Sequence, residues 1–154
     1  MSIMRVNVNQ ANIDPSVERL IGDILDGKAL MVQPAPAAKT VTTTLTAAEI
    51  LTGLITGNQG AAGAASYTLP LASAMETAMF AAFPALANDD AFNFNLINLS
   101  VVAAEDITIL TNTGWTLVGS MLVESNEATA LKTPSGAFRV RRTAPATYTL
   151  YRLS

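Results

Sequence analysis

Residues 92–119 read FNFNLINLSVVAAEDITILTNTGWTLVG. Phe92, Phe94 and Leu96 fall on one side of an extended chain and Asn93, Asn95 and Ile97 on the other, the period-two pattern of a half-buried strand. Ile107 and Ile109 repeat the pattern around Thr108, and Trp115 and Leu117 repeat it against Thr116 and Val118. Asn112-Thr113-Gly114 is turn chemistry, because Asn tolerates the left-handed region and Gly adopts it freely. Three strands with short polar connections predict one antiparallel sheet with an aromatic face, its last two strands forming a hairpin. Asn93, Asn95 and Asn98 are expected to face solvent.

Outward from this centre the chain alternates strand and short-helix signals. Asp14-Pro15 opens a helix, with Asp as cap and Pro at the first helical position. Its apolar stripe is Val17, Leu20, Ile21, Ile24 and Leu25, at helical spacing. Residues 33–39, QPAPAAK, read as an extended linker, placing an N-terminal arm at 1–39 and the main domain at 40–154. Thr46-Ala-Ala-Glu49 is a capping box ahead of Ile50, Leu51, Leu54 and Ile55, and Ser73-Ala-Met-Glu76 is a second one ahead of Met79 and Phe83. Strands are expected near Val41, at Tyr67, at 121–123 as an extension of the preceding strand, at 128–132, at 138–142 and at 148–153, with a turn at Ala144-Pro145-Ala146.

Half of the 154 residues are hydrophobic and 14% are charged, where about a quarter is usual. A chain this short cannot hide so much apolar surface by itself, and a copy of itself is the nearest partner. No run of ~18 apolar residues is present, so no spanning helix is expected. The start, MSIMRVNVNQ, lacks the apolar core of a secretion signal, which points to synthesis in a cytoplasm. The absence of Cys and His removes disulfides, thiolate and imidazole metal sites, Cys nucleophiles and His-dependent triads. Charge is uneven: the first 127 residues hold four basic and twelve acidic groups, and the last 27 hold five basic and none acidic. That asymmetry invites contact between opposite ends, either between subunits or within one.

The segments LTAAEILTGLITGNQG, SYTLPLASAMETAM, AFNFNLINLS, ITILTNTGWTLVG and AFRVRRTAPATYTLYRL together resemble a domain that recurs in virion proteins of tailed bacteriophages, the head decoration (cement) proteins and capsid fibres. The likeness spans residues 45–153 and its motifs are structural rather than catalytic. It implies a β-sandwich, usually trimeric, fixed to the outside of a phage head, with the major capsid protein as partner. Residues 1–39 fall outside it.

The expected fold is mainly β: an antiparallel, jelly-roll-like sandwich with two or three short helices and an N-terminal helical arm. The expected function is a non-enzymatic structural one, a homotrimer that clamps the outer head surface. A fibre or receptor-binding domain is the first alternative and a carboxylate-dependent polysaccharide hydrolase the second. Asp89-Asp90 and Glu105-Asp106 flank the strand at Phe92 and would serve calcium or glycosidic chemistry only if they met at one end. No catalytic, cofactor or metal residue is assigned. Nucleic acid is not an expected partner, because the chain is acidic, with a pI of about 4.8. The expected interface residues are Val17, Leu20, Ile21 and Ile24 on the first helix, and Arg139, Arg141 and Tyr151 near the end, since Arg and Tyr are favoured at protein interfaces.

Overall fold

The computed structural model describes residues 33–60, 63–127 and 132–154. The helix expected from Asp14, with Val17, Leu20, Ile21 and Ile24, lies outside the described residues, as does most of the strand expected at 128–132. Gln33–Ser154 forms one unit, whose described residues make ten strands and two helices. In order these are β1 (Ala37–Lys39), β2 (Thr43–Thr44), α1 (Ala47–Leu51), β3 (Leu54–Gly57), β4 (Ala65–Thr68), α2 (Ala72–Ala82), β5 (Ala91–Asn98), β6 (Ile107–Leu110), β7 (Trp115–Val118), β8 (Leu122–Val123), β9 (Ser135–Ala144) and β10 (Thr147–Arg152).

The protein is mainly β, as expected, but its sheets are mixed rather than antiparallel. One sheet has six strands in the order β1-β3-β5-β9-β10-β7, and the other has four in the order β2-β4-β6-β8. From β1 to β8 each successive strand joins the opposite sheet. Two strands of one sheet are therefore separated by an excursion through the other, which returns the chain in the same direction. The pairs β1–β3, β3–β5, β2–β4 and β4–β6 are parallel for this reason, with the partner sheet supplying the crossover that parallel neighbours need. Antiparallel pairing is confined to the later strands, where β8 runs antiparallel to β6 and β9 runs antiparallel to both β5 and β10.

Several expectations fall with the antiparallel sheet. Residues 107–118 do not form a hairpin: β6 belongs to the four-stranded sheet, and β7 pairs parallel to β10 in the six-stranded one. Gly114 carries the crossing at φ +85°, and a Cβ there would lie 2.5 Å from Ala72 Cβ and 2.7 Å from the Ala146 carbonyl oxygen. Leu122–Val123 does not extend β7 but crosses to pair with β6. Leu54 and Ile55 are strand rather than helix, because α1 ends at Leu51 and Gly53 reverses the chain at φ +78°. Ala37–Lys39, read as linker, is the edge strand beside β3. β10 is interior, flanked by β9 and β7.

The sheets share one core. Its fully buried side chains include Tyr67, Ile107 and Ile109 from the smaller sheet and Phe94, Leu96, Phe138 and Tyr148 from the larger. Phe94 stacks on Phe138 at 5.3 Å between ring centroids, and Trp115 meets Tyr148 at 5.2 Å. Each such side chain contributes ~1.5–3 kcal/mol by leaving water. At Gly57 the layers touch: a Cβ would stand 2.4 Å from Ile107 Cδ1 and 2.5 Å from Tyr67 Oη, so only glycine fits. Burial also pushes the Tyr67 phenol up to about 12.

The first capping box is present: the Thr46 hydroxyl accepts from the Glu49 amide, and the Glu49 carboxylate accepts from the Thr46 amide. The second is not. α2 begins two residues earlier than that motif requires, with Leu71 at its cap and no side-chain cap bond, and the Ala72 amide donates to the Thr113 carbonyl instead. Glu76 turns toward the β9–β10 hairpin. Met75 and Met79 are buried as expected, whereas Phe83, at the end of the helix, is 53% exposed.

Candidate protein interface on the six-stranded sheet

The alternation of β9 decides which arginines are available. Phe138, Val140 and Arg142 point into the core, so Arg139 and Arg141 point out. Register then builds a row across the outer face: Asn93 on β5 stands beside Arg139 on β9, Arg139 beside Tyr151 on β10, and Tyr151 beside Val118 on β7. The next row is Ala91, Arg141, Thr149 and Thr116. The structure thus brings Arg139, Arg141 and Tyr151 together on one outward face, with Arg139 exposed, Arg141 and Tyr151 half-buried, and Thr149 buried beside them. β9 is a central strand, so these arginines are not edge protection against stray pairing.

The face is held in shape. Arg139 Nε donates to Asn93 Oδ1 at 2.9 Å, and among the described residues no carboxylate lies within ion-pair distance of Arg139. Arg141 Nη2 bonds Asp89 Oδ1 at 2.5 Å. Hydrogen bonding to Tyr151, then to Asp89, raises the Arg141 guanidinium above its ordinary value.

The five basic residues of the last 27 do not form one patch. Arg142 is 6% exposed and is held by Glu76, with Nη2 to Oε1 at 2.6 Å and Nε to both carboxylate oxygens at 3.1 Å. Its Nη1 donates to Asn88 Oδ1 at 2.5 Å, and its guanidinium lies 5.7 Å from the Phe80 ring centroid. The Tyr148 hydroxyl donates to the same carboxylate. Hydrogen bonding from Arg142 outweighs the upward pull of burial and, with smaller help from Tyr148 and the Ala146 amide, holds the Glu76 carboxyl down at about 2. Lys132 Nζ donates to the Ala103 carbonyl at 2.9 Å and lies 3.7 Å from Asp106 and 3.5 Å from Glu127. Arg152 spans the Leu122 and Ser135 carbonyls above the Phe138 ring. Arg141, Arg142 and Lys132 thus pair with acids from the first 127 residues of their own chain, which absorbs much of the charge asymmetry.

Ala146 aims its amide at Glu76 from the left-handed region, at φ +48°. Ala146→Gly should therefore stabilise the protein by about 0.5–1 kcal/mol, the left-handed penalty of ~1–2 kcal/mol less the extra entropy of glycine in the unfolded chain. Urea denaturation measures it, and a loss of stability would contradict it.

The two acidic pairs do not meet. Asp89 and Asp90 precede β5 and Glu105 and Asp106 follow it, on opposite sides of an eight-residue strand that spans roughly 26 Å at ~3.3 Å per residue. A carboxylate pair for glycoside hydrolysis needs a separation of ~5–9.5 Å. Among the described residues no three acidic side chains gather as a metal site. Glu105 is fully buried: the Ser100 hydroxyl donates to its Oε2, and its Oε1 has no hydrogen-bond partner among the described residues. Asn98, expected in solvent, is buried as well, and its Nδ2 donates to the Glu105 carbonyl at 2.7 Å. The phase of β5 already held this signal, because Asn98 shares the face of Phe94 and Leu96.

Compared with known protein families, curated proteins and solved structures, the chain has no match in any of the three.

Proposed function

We propose that this chain is a non-enzymatic structural virion protein of a tailed bacteriophage, a head decoration or cement protein that binds the outer head surface as a homotrimer. Its two sheets are then the layers of a sandwich, and its work is buried area repeated over many symmetric copies. The observation that carries the reading is the outward face that bears Arg139, Arg141 and Tyr151. Rigid strands present two cations and a tyrosine side by side, with Asn93 and Asn95 exposed beside them. Guanidinium and phenol groups on a fixed backbone suit a carboxylate-bearing protein surface, and Arg and Tyr dominate the energetics of such contacts. An outer shell with acidic groups is the partner this face fits.

Co-sedimentation with undecorated heads tests it. The purified protein should pellet with the heads, and Arg139→Glu with Arg141→Glu should weaken binding by at least about a hundredfold, since like charges then oppose at the contact. Because both side chains face outward, the double variant should melt within a few degrees of the parent. Equal pelleting of parent and variant would refute the assignment of this face.

A further inference from the structure

Resting on the cement reading, we infer that Asp89 holds, within the subunit, the place on Arg141 that an acidic side chain of the shell takes on docking. The two arginines that follow one another on β9 are paired in opposite ways. Arg142 and Glu76 are enclosed, with side chains 7% and 13% exposed. Arg141 and Asp89 meet at the surface, with side chains 42% and 70% exposed. An ion pair so placed is screened by water and salt and holds its members weakly, so a competing carboxylate displaces it at little cost. The first pair is part of the fold. The second guards a docking group and leaves it usable.

Asp89 is placed rather than stray. Its amide donates to the Arg142 carbonyl at 2.8 Å, and the Arg142 amide donates to the Asp90 carbonyl at 3.0 Å, so this stretch is tied to β9 in both directions. Its backbone lies in the left-handed region at φ +73°, which Asp and Asn tolerate better than other side chains with a Cβ. Neighbouring side chains thereby serve opposite faces: Asn88 reaches the buried Arg142, and Asp89 reaches the outward Arg141.

Arg139 is then the group that meets the partner first. Its Nε is spent on Asn93, which fixes the guanidinium plane, and among the described residues no carboxylate lies within ion-pair distance of it. A planar guanidinium offers a fork that matches a carboxylate in two hydrogen bonds. Arg139 and Arg141 stand two positions apart on one face of β9, roughly 7 Å along the strand. A partner with one acidic group gains Arg139 alone and meets repulsion from Asp89. A partner with two acidic groups at that spacing gains both arginines once Asp89 is displaced. Asp89 thus makes the face selective for paired carboxylates over scattered negative charge.

Asp89→Asn removes the charge and keeps the bend, since Asn also tolerates the left-handed region. Binding is measured at low salt on two carboxylate-bearing probes, undecorated heads and poly-L-glutamate. Asp89→Asn should bind both about three- to fivefold more tightly than the parent, the strength of one exposed ion pair. The gain should vanish once Arg141 is gone: Asp89→Asn with Arg141→Gln should bind no more tightly than Arg141→Gln alone, whereas an effect of net charge would persist in that background. Asp89→Asn binding equal to or weaker than the parent's, a gain that survives Arg141→Gln, or no binding of any of these proteins to poly-L-glutamate would overturn the inference. The cement reading fails separately. If poly-L-glutamate shows the expected order while the heads capture none of the proteins, the face takes carboxylates as inferred and the shell is not its partner.

Discussion

Glu76→Leu should lower the unfolding free energy by about 3–5 kcal/mol, because it leaves the Arg142 guanidinium buried with no carboxylate among the described residues and only the neutral Asn88 and Tyr148 side chains beside it. Much of that loss should return in the double variant Glu76→Leu, Arg142→Met, since an apolar pair of similar volume needs no desolvated charge. A double-mutant cycle by urea denaturation reads both numbers, and additive losses would contradict direct coupling. The same pair sets the acid limit. The Glu76 carboxyl is held down at about 2 in the fold against 4.5 when free. A depressed carboxyl contributes stability that is complete above its unfolded value and is lost as pH falls through its folded value. Stability worth on the order of 3 kcal/mol should therefore disappear between about pH 4.5 and pH 2, and the double variant should lack that slope.

Phe94→Ala should cost about 3–5 kcal/mol. Phe94 is fully buried at the centre of β5, opposite Phe138 in register and stacked on it, so its removal opens a cavity where the long antiparallel pair meets the parallel block. Phe94→Leu should cost markedly less, because it keeps most of the volume. Equal losses for the two would mean that the ring itself, rather than filled space, is what matters.

These two side chains also mark what the sequence discloses. Phe94 and Leu96 announce a half-buried strand, and Thr46 with Glu49 announces a capped turn, because period and capping are local. Sheet membership is not local. Alternation at 92–98, 107–109 and 115–117 says which face is buried, but not which sheet buries it or which way the neighbour runs, so a path that alternates between sheets looks like a meander. The second capping box failed on magnitude. A cap stabilises by ~1 kcal/mol, whereas a buried guanidinium left without its carboxylate costs ~3–5 kcal/mol, so Glu76 serves Arg142. Arg142 was in view, in phase with Phe138 and Val140, as Asn98 was with Phe94 and Leu96. A polar residue in the apolar phase of a strand calls for a buried partner, but only the fold says which residue that is. The outward face was half legible: β9 alone sets Arg139 and Arg141 outward, while Tyr151 joins them only through register.

Light scattering of the dilute protein, followed by titration with undecorated phage heads, tests most directly whether this apolar, sparsely charged chain exists to be joined to copies of itself and to a shell. A mass three times that of the chain, falling to nothing in the supernatant as heads are added, is the expected result. A monomer at every concentration that stays in solution whatever the amount of heads would contradict it.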